Sequence, residues 1–299
     1  MVKQEHYVPK FYLRKFSDKD KISVYDIKND RIFSTNINKI ACNNYFYDLD
    51  SNELKETLKM QKEICNIPDD VFEQECNDVQ FVEKALSRLE DKFSSLLLEF
   101  EKDYSLINNE EFLRTMFLFA YTLSIRTIGF RNGLESIARQ TKEWLEKINI
   151  KNVDYPIDKE PEDIAKINQI NELLSLSSVY KKALSFFDKY DIFVGINNSN
   201  DDFIISDNPL NYFFLGFNDV CFPVNRKLSI IMQVKDADSE HKLCNIKPDN
   251  NKIINLTTVE INKYNNLQVC SNGRYLFGSK ETLKKYSHHI KKLNSILGQ

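Results

Sequence analysis

Apolar residues are densely set in the run His6-Tyr7-Val8-Pro9-Lys10-Phe11-Tyr12-Leu13-Arg14-Lys15-Phe16. Terminal segments are ordinarily polar and frayed, so this run predicts docking, with Val8, Phe11, Leu13 and Phe16 as anchors. Lys21–Ile27 then alternates apolar and polar positions, Lys28–Asp30 reads as a turn, and Arg31–Thr35 returns as a hairpin partner. Asn43–Leu49 continues as aromatic, extended chain.

The period changes at Glu53. Glu53–Cys65 is a weakly amphipathic helix closed by Pro68. Asp78–Lys102 carries the clearest helical stripe, with Phe81, Ala85, Leu86, Leu89, Phe93, Leu96, Leu97 and Phe100 at three- and four-residue steps. Asn109–Phe130 is apolar nearly all the way round, which predicts a helix buried between other elements. Arg126 shares a face there with Phe112, Phe119 and Leu123. A buried guanidinium needs an acidic or carbonyl partner, and Glu83 and Glu90, neighbours on one flank of the preceding helix, are the candidates. A third helix is expected over Arg131–Asn149, with the only tryptophan, Trp144. Lys151–Asp163 reads as a linker or exposed loop, and Ile164–Tyr190 as a further helix.

Beyond Asp191 the pattern turns to strands at Ile192–Ile196, Phe203–Ser206, Asp219–Phe222, Leu228–Val234 and Ile253–Leu256. Thr257 and Glu260 form a capping box opening a helix to about Val269. A last strand at Arg274–Gly278 and a last helix at Ser279–Leu297 complete the chain. This order predicts an α+β fold without a regular βαβ repeat. A helical block (51–190) should pack on a mixed or antiparallel sheet made from an N-terminal hairpin segment (1–50) and a C-terminal α/β segment (191–299), all within one intertwined domain.

Composition narrows the picture modestly. Seven glycines and seven prolines in 299 residues argue against a turn-dense β-sandwich. A formal net charge of −3 supplies no global field toward nucleic acid. The start lacks a secretory pattern, and Leu113–Ile128 is interrupted by Arg114, Thr115 and Arg126, so a cytoplasmic protein without a membrane partner is expected. The six cysteines show neither a paired nor a zinc-like spacing and read as reduced thiols.

Nucleotide-cradling glycine loops, a nucleophile elbow and a zincin helix are absent from the sequence. Glu53-Leu54-Lys55 and Glu90-Asp91-Lys92 match a nuclease-like tripeptide but fall in helical registers. Four features remain. His6, set among apolar neighbours, is a candidate acid or base, or else packs with its ring bonded to a backbone carbonyl. Asp207, at a strand end before Asn208-Pro209, is a site candidate or an Asx-turn stopping the strand. Glu83 and Glu90 are candidate ligands for Mg²⁺ or Mn²⁺, or structural partners of Arg126. Lys280, Lys284, Lys285, His288, His289, Lys291 and Lys292 give the last helix a basic face that could meet nucleic acid, or is merely solvated.

The opening run resembles the N-terminal signature of the bacterial family called domain of unknown function 4238. Phe46-Tyr47-Asp48, Val82-Glu83 through Leu89-Glu90, Arg126-Thr127, Ser206-Asp207-Asn208-Pro209, Phe222-Pro223 and Ile261-Asn262 follow that family's order, so the resemblance spans about residues 4–278. It implies one fold unit and a short set of retained polar residues: His6, Glu83, Glu90, Arg126, Asp207 and Asn262. The working expectation is that His6, Glu83, Glu90, Arg126 and Asp207 converge in one cleft between the helical block and the late sheet. There they would support phosphodiester hydrolysis, in the manner of a nuclease of bacterial defence or toxicity. Glu83, Glu90 and Asp207 would bind the cation, His6 would move the proton, and Arg126 and Asn262 would hold substrate. The alternatives are a ligand- or partner-binding module without chemistry, and a purely structural role for the whole set.

Overall fold

The computed structural model describes residues 4–65, 78–148, 155–156, 158–175, 179–181, 188–210, 219–235, 248–271 and 273–297. The fold is α+β. Strand β1 (Gln4–His6) pairs antiparallel with β4 (Cys42–Asn44), His6 opposite Cys42. Pro9 then ends the extended run and serves as N-cap of the short helix α1 (Lys10–Arg14). The hairpin forms as its alternation predicts: β2 (Lys21–Asp26) faces β3 (Arg31–Asn36), with Asp26 opposite Arg31.

Late strands extend this hairpin. Strand β10 (Tyr275–Gly278) adds to β2, and β6 (Ile205–Ser206) adds to β10, giving the order β3-β2-β10-β6. A second sheet runs β7 (Asp219–Pro223), β8 (Leu228–Val234), β5 (Tyr190–Asn197), β9 (Ile253–Leu256), and only the β5–β9 pair is parallel. The early strands thus join only part of the late β structure, because β1 and β4 form a ribbon of their own.

The longer helices among the described residues are α2 (Ser51–Cys65), α3 (Phe81–Phe100), α4 (Glu110–Ile125), α5 (Ile128–Ile148), α6 (Pro161–Leu174), α7 (Thr258–Ser271) and α8 (Lys280–Leu297). The α3 stripe buries Leu86, Phe93, Leu97 and Phe100, and α4 is buried on nearly every side. Two expectations need correction. The helix expected to run to Phe130 stops at Ile125, and Arg126 takes φ −85° and ψ 0°. Thr127 is the cause: its hydroxyl accepts the Phe130 amide at 3.2 Å and caps a new helix, α5. The helix expected over Ile164–Tyr190 starts earlier, at Pro161, and is capped at Ser175; residues 179–181 are helical again, 176–178 and 182–187 lie outside the described residues, and Tyr190 opens β5 opposite Val234. Pro68 and residues 151–154 and 157 of the expected loop lie outside the described residues, and the loop's last three residues already belong to α6.

The opening run docks at the junction of the helices and the second sheet. Val8, Tyr12, Leu13 and Phe16 are fully buried, whereas Phe11 is half-buried. The Tyr12 ring stacks on Phe222 at 5.8 Å and meets Phe119 edge-on at 5.7 Å. Its hydroxyl donates to the Pro223 carbonyl at 2.7 Å, so a large buried aromatic keeps its one polar atom satisfied. Phe119 in turn packs on Phe93 at 4.8 Å. One signature residue thereby joins α1, α4 and β7.

Candidate functional site

The polar residues expected in one cleft are divided between a buried charge network and a separate open cleft. Arg126 centres the network. Its side chain is 1 % exposed, and Nη1 donates to Glu90 Oε1 at 2.8 Å. Nη2 donates to the His6 carbonyl, and Nε reaches the Tyr47 hydroxyl at 3.4 Å. The Tyr47 hydroxyl donates back to the Arg126 carbonyl at 3.0 Å. The break after α4 makes this possible, because a terminal residue can offer both its carbonyl and its side chain to partners on other segments. Glu90 thus has the structural role that its charge match to Arg126 suggested.

Glu5, which the sequence reading passed over, is fully buried beside this pair. Its Oε2 accepts the Tyr47 amide at 2.7 Å. Burial pushes its carboxyl up to about 7, against the Tyr47 amide and assisted by the nearby carboxylates of Asp48 and Glu83. Burial likewise raises Glu83. Glu5 Oε1, Asp48 Oδ1 and Glu83 Oε2 are enclosed without a hydrogen-bond partner. Arg131 lies close by. It donates to Gln169 at 2.6 Å and to the Phe46 carbonyl at 2.8 Å, with its guanidinium 3.7 Å over the Phe46 ring.

His6 is buried, and its Nε2 lies 3.2 Å from the Ile37 carbonyl. Burial lowers its pKa to about 4, against the Ile37 bond and assisted by Lys10 and Arg126, so the ring is neutral near pH 7. This is the packing arrangement weighed above. Asn262 is remote from both groups: its Oδ1 accepts from Lys285 at 3.0 Å and Tyr286 at 2.9 Å on α8. The basic face of α8 also includes exposed Lys280, Lys284, His288 and His289, with Lys285 tied to Asp201.

Asp207 belongs to the second group. Its Oδ1 accepts the Gly273 amide at 2.8 Å and its Oδ2 the Arg274 amide at 2.9 Å. It is therefore a bridge between β6 and the approach to β10, not a local Asx-turn. The expected cation set of Glu83, Glu90 and Asp207 is not assembled, because Glu90 is spent on Arg126 and Asp207 is capped by amides elsewhere. Among the described residues no three His, Cys, Asp or Glu side chains are grouped to hold a metal ion.

Asp207 helps line a cleft of about 350 Å³ together with Tyr7, Lys39, Cys42, Asn132, Asn208, Arg274 and Tyr275. Tyr7 and Asn208 are only 3 % and 4 % exposed. Tyr7's phenol is pushed up by burial and then by the charge of Asp207. Thr127 fixes the amide of Asn208. The Thr127 hydroxyl donates to Asn208 Oδ1 at 2.7 Å, closer than the Ser124 carbonyl at 3.2 Å, which leaves Asn208 Nδ2 as the free end. Neither the Tyr7 hydroxyl nor Asn208 Nδ2 makes a hydrogen bond among the described residues.

Gly129, in the first turn of α5, lets this amide approach. A Cβ there would stand 2.6 Å from Asn208 Nδ2. Arg274 crosses the cleft wall with its guanidinium 4.8 Å from the Tyr275 ring. Its Nε and Nη2 hold Asp26 at 3.2 and 2.9 Å, and this pairing keeps the Asp26 carboxyl down at about 2.

A family model described as a protein of unknown function (DUF4238) matches residues 4–297, nearly the whole chain. The chain belongs to this family. A search of curated proteins and a search of solved structures each return no match. The DUF4238 match confirms the resemblance read from the opening run and extends it to α8. Of the residues carrying that resemblance, Tyr7, Asp207 and Asn208 line the cleft, while Tyr47, Asp48, Glu83, Glu90 and Arg126 lie in the network. Tyr7 gives little signal in the sequence, because an aromatic residue within an apolar run reads as packing. Its place two residues before Pro9, where the extended run ends, is a weak signal. No helix among the described residues is long and apolar enough to cross a membrane.

Proposed function

We propose that this DUF4238 chain is a small-molecule binding module whose recognition site is the cleft around Asp207. One observation carries the reading. Tyr7 and Asn208, both more than nine-tenths buried, direct unpartnered polar groups into a cavity of about 350 Å³ lined from several distant segments of the chain. Buried polar groups are ordinarily satisfied within the protein, and a group left open toward a cavity is supplied by water or by ligand. The volume lies at the lower end of the range for small-molecule pockets.

A metal-dependent phosphodiesterase is less well supported. It needs its carboxylates on one cation and a histidine able to exchange protons near neutrality. Glu90 and Asp207 are engaged separately, and His6 is held neutral against a carbonyl. Nuclease activity and a role in defence therefore remain proposals secondary to binding.

Ligand-observed NMR with a panel of polar small molecules tests the binding reading. Compounds that bind should lose their signal when Tyr7→Phe and Asn208→Asp are combined in a folded protein. A panel in which every binder is indifferent to those substitutions would overturn the assignment. Incubation with DNA and RNA in Mg²⁺, Mn²⁺ or EDTA tests the secondary reading directly.

A further inference from the structure

On the buried floor of the cleft the open hydrogen-bonding capacity is mostly of one polarity. Asn208 Nδ2 is a donor only, and the Tyr7 hydroxyl donates readily. The amides of Ile128 and Gly129, in the first turn of α5, make no backbone hydrogen bond back to α4 among the described residues, and both residues line the same cavity. Arg274 uses Nε and Nη2 on Asp26, which leaves Nη1. Lys39, exposed at the rim, makes no ion pair among the described residues. The one carboxylate of the cleft, Asp207, already has both oxygens capped by the Gly273 and Arg274 amides.

We infer that the ligand presents a phosphoryl group to the floor formed by Tyr7, Asn208 and the first turn of α5, with Lys39 and Arg274 at its flank. The inference rests on the preceding reading of the cleft and adds the ligand's chemical class. Acceptor-rich anions suit a helix N-terminus, where the dipole and the free amides act together. That feature alone would carry little. The two buried, unpartnered side chains beside it come from outside the helix and add hydrogen-bond donors to its own. The donors also come from four separate places in the chain: Tyr7, Asn208, α5 and Arg274. A tetrahedral group with several acceptor oxygens can meet donors from such different directions, whereas a planar carboxylate offers its lone pairs in one plane.

The test uses the full chain and calorimetric titration with inorganic phosphate, adenosine 5′-monophosphate, adenosine and acetate. Phosphate and the nucleotide should bind, and adenosine and acetate should bind at least about tenfold more weakly. Asn208→Asp keeps the acceptor for Thr127 and exchanges the donor for a negative charge, so it should weaken phosphate binding by about tenfold or more. Tyr7→Phe should weaken it by about fivefold, the worth of one hydrogen bond. Circular dichroism and an unfolding midpoint verify that both variants fold. If adenosine or acetate binds as tightly as phosphate and both variants weaken it, the phosphoryl assignment fails while the cleft stands. If no probe's binding responds to either substitution, the cleft reading fails with it.

Discussion

The buried guanidinium of Arg126 donates to the backbone carbonyl of His6, 120 residues earlier in the chain. It simultaneously holds Glu90 on α3 and contacts the Tyr47 hydroxyl. One side chain therefore fixes β1, α3 and the aromatic segment after β4 against the end of α4. Arg126→Met should destabilise the fold by roughly 3 kcal/mol, because it strands a carbonyl and a carboxylate whose pairing was charge-assisted. Arg126→Lys should recover only part of this, since an ammonium cannot reproduce the fork. Urea unfolding of the two variants and of Glu90→Gln checks the point. The Arg126→Met, Glu90→Gln double variant should lose less than the sum of the single losses.

The pH dependence of stability should expose two opposed titrations. Glu5 is raised to about 7 in the fold from an ordinary value of 4.5, so the folded state holds a proton that the unfolded state gives up. Its contribution is complete at low pH and is lost as pH rises from about 4.5 to 7. His6 is lowered from 6.5 to about 4, so the unfolded state takes up a proton that the folded state refuses. Its contribution is complete above pH 6.5 and is lost as pH falls toward 4. The two slopes cancel between about pH 4.5 and 6.5. Glu5→Gln should unmask a stability that rises with pH across that window, on the order of 2 kcal/mol, and His6→Gln one that falls. Unfolding midpoints at four pH values for the three proteins decide it.

Two glycines on α5 should respond oppositely to alanine. At Gly133 an added Cβ meets nothing within 4 Å, so Gly133→Ala should stabilise by about 0.5–1 kcal/mol through helix propensity. At Gly129 the same atom would stand 2.6 Å from Asn208 Nδ2 and 3.0 Å from its Cγ. Gly129→Ala should cost about 1–3 kcal/mol and remove the cleft's binding, because the amide is forced from its seat on Thr127. Thermal melts with and without phosphate measure both effects.

Tyr12→Phe should cost about 1–2 kcal/mol, the loss of the hydroxyl bond that satisfies the Pro223 carbonyl. Tyr12→Ala should cost about 3–5 kcal/mol, because the cavity opens where α1, α4 and β7 meet. Calorimetric melting of both variants separates the polar part from the packing part.

Elements with a strong period were legible. The hairpin, the α3 stripe, the β8 run and the Thr257–Glu260 capping box all depend on neighbours within a few residues, and all appear where the pattern places them. The break between α4 and α5 was not legible, because a helix that is apolar all round gives no phase from which to see an interruption. The outcome for the polar residues follows the same division. Arg126 sat in an apolar face, and that anomaly correctly demanded a partner. Which glutamate answered it, and that Asp207 would be capped by the Gly273 and Arg274 amides, depended on the packing of distant segments. The cleft is subtler again. Glu5, His6 and Tyr7 are adjacent in sequence, yet one is buried in the charge network, one packs against Ile37 and one lines the cavity.

The bond from Tyr12 to the Pro223 carbonyl spans 211 residues, and it governs the order in which the molecule can be completed. At a synthesis rate of about 5–20 residues per second, roughly 10–40 seconds separate the emergence of Tyr12 from that of its acceptor. Throughout that interval Val8, Tyr12, Leu13 and Phe16 have no second sheet to receive them. The DUF4238 signature is thus made early and seated late, and a nascent chain stalled before β7 should expose a sticky apolar segment that recruits holding chaperones.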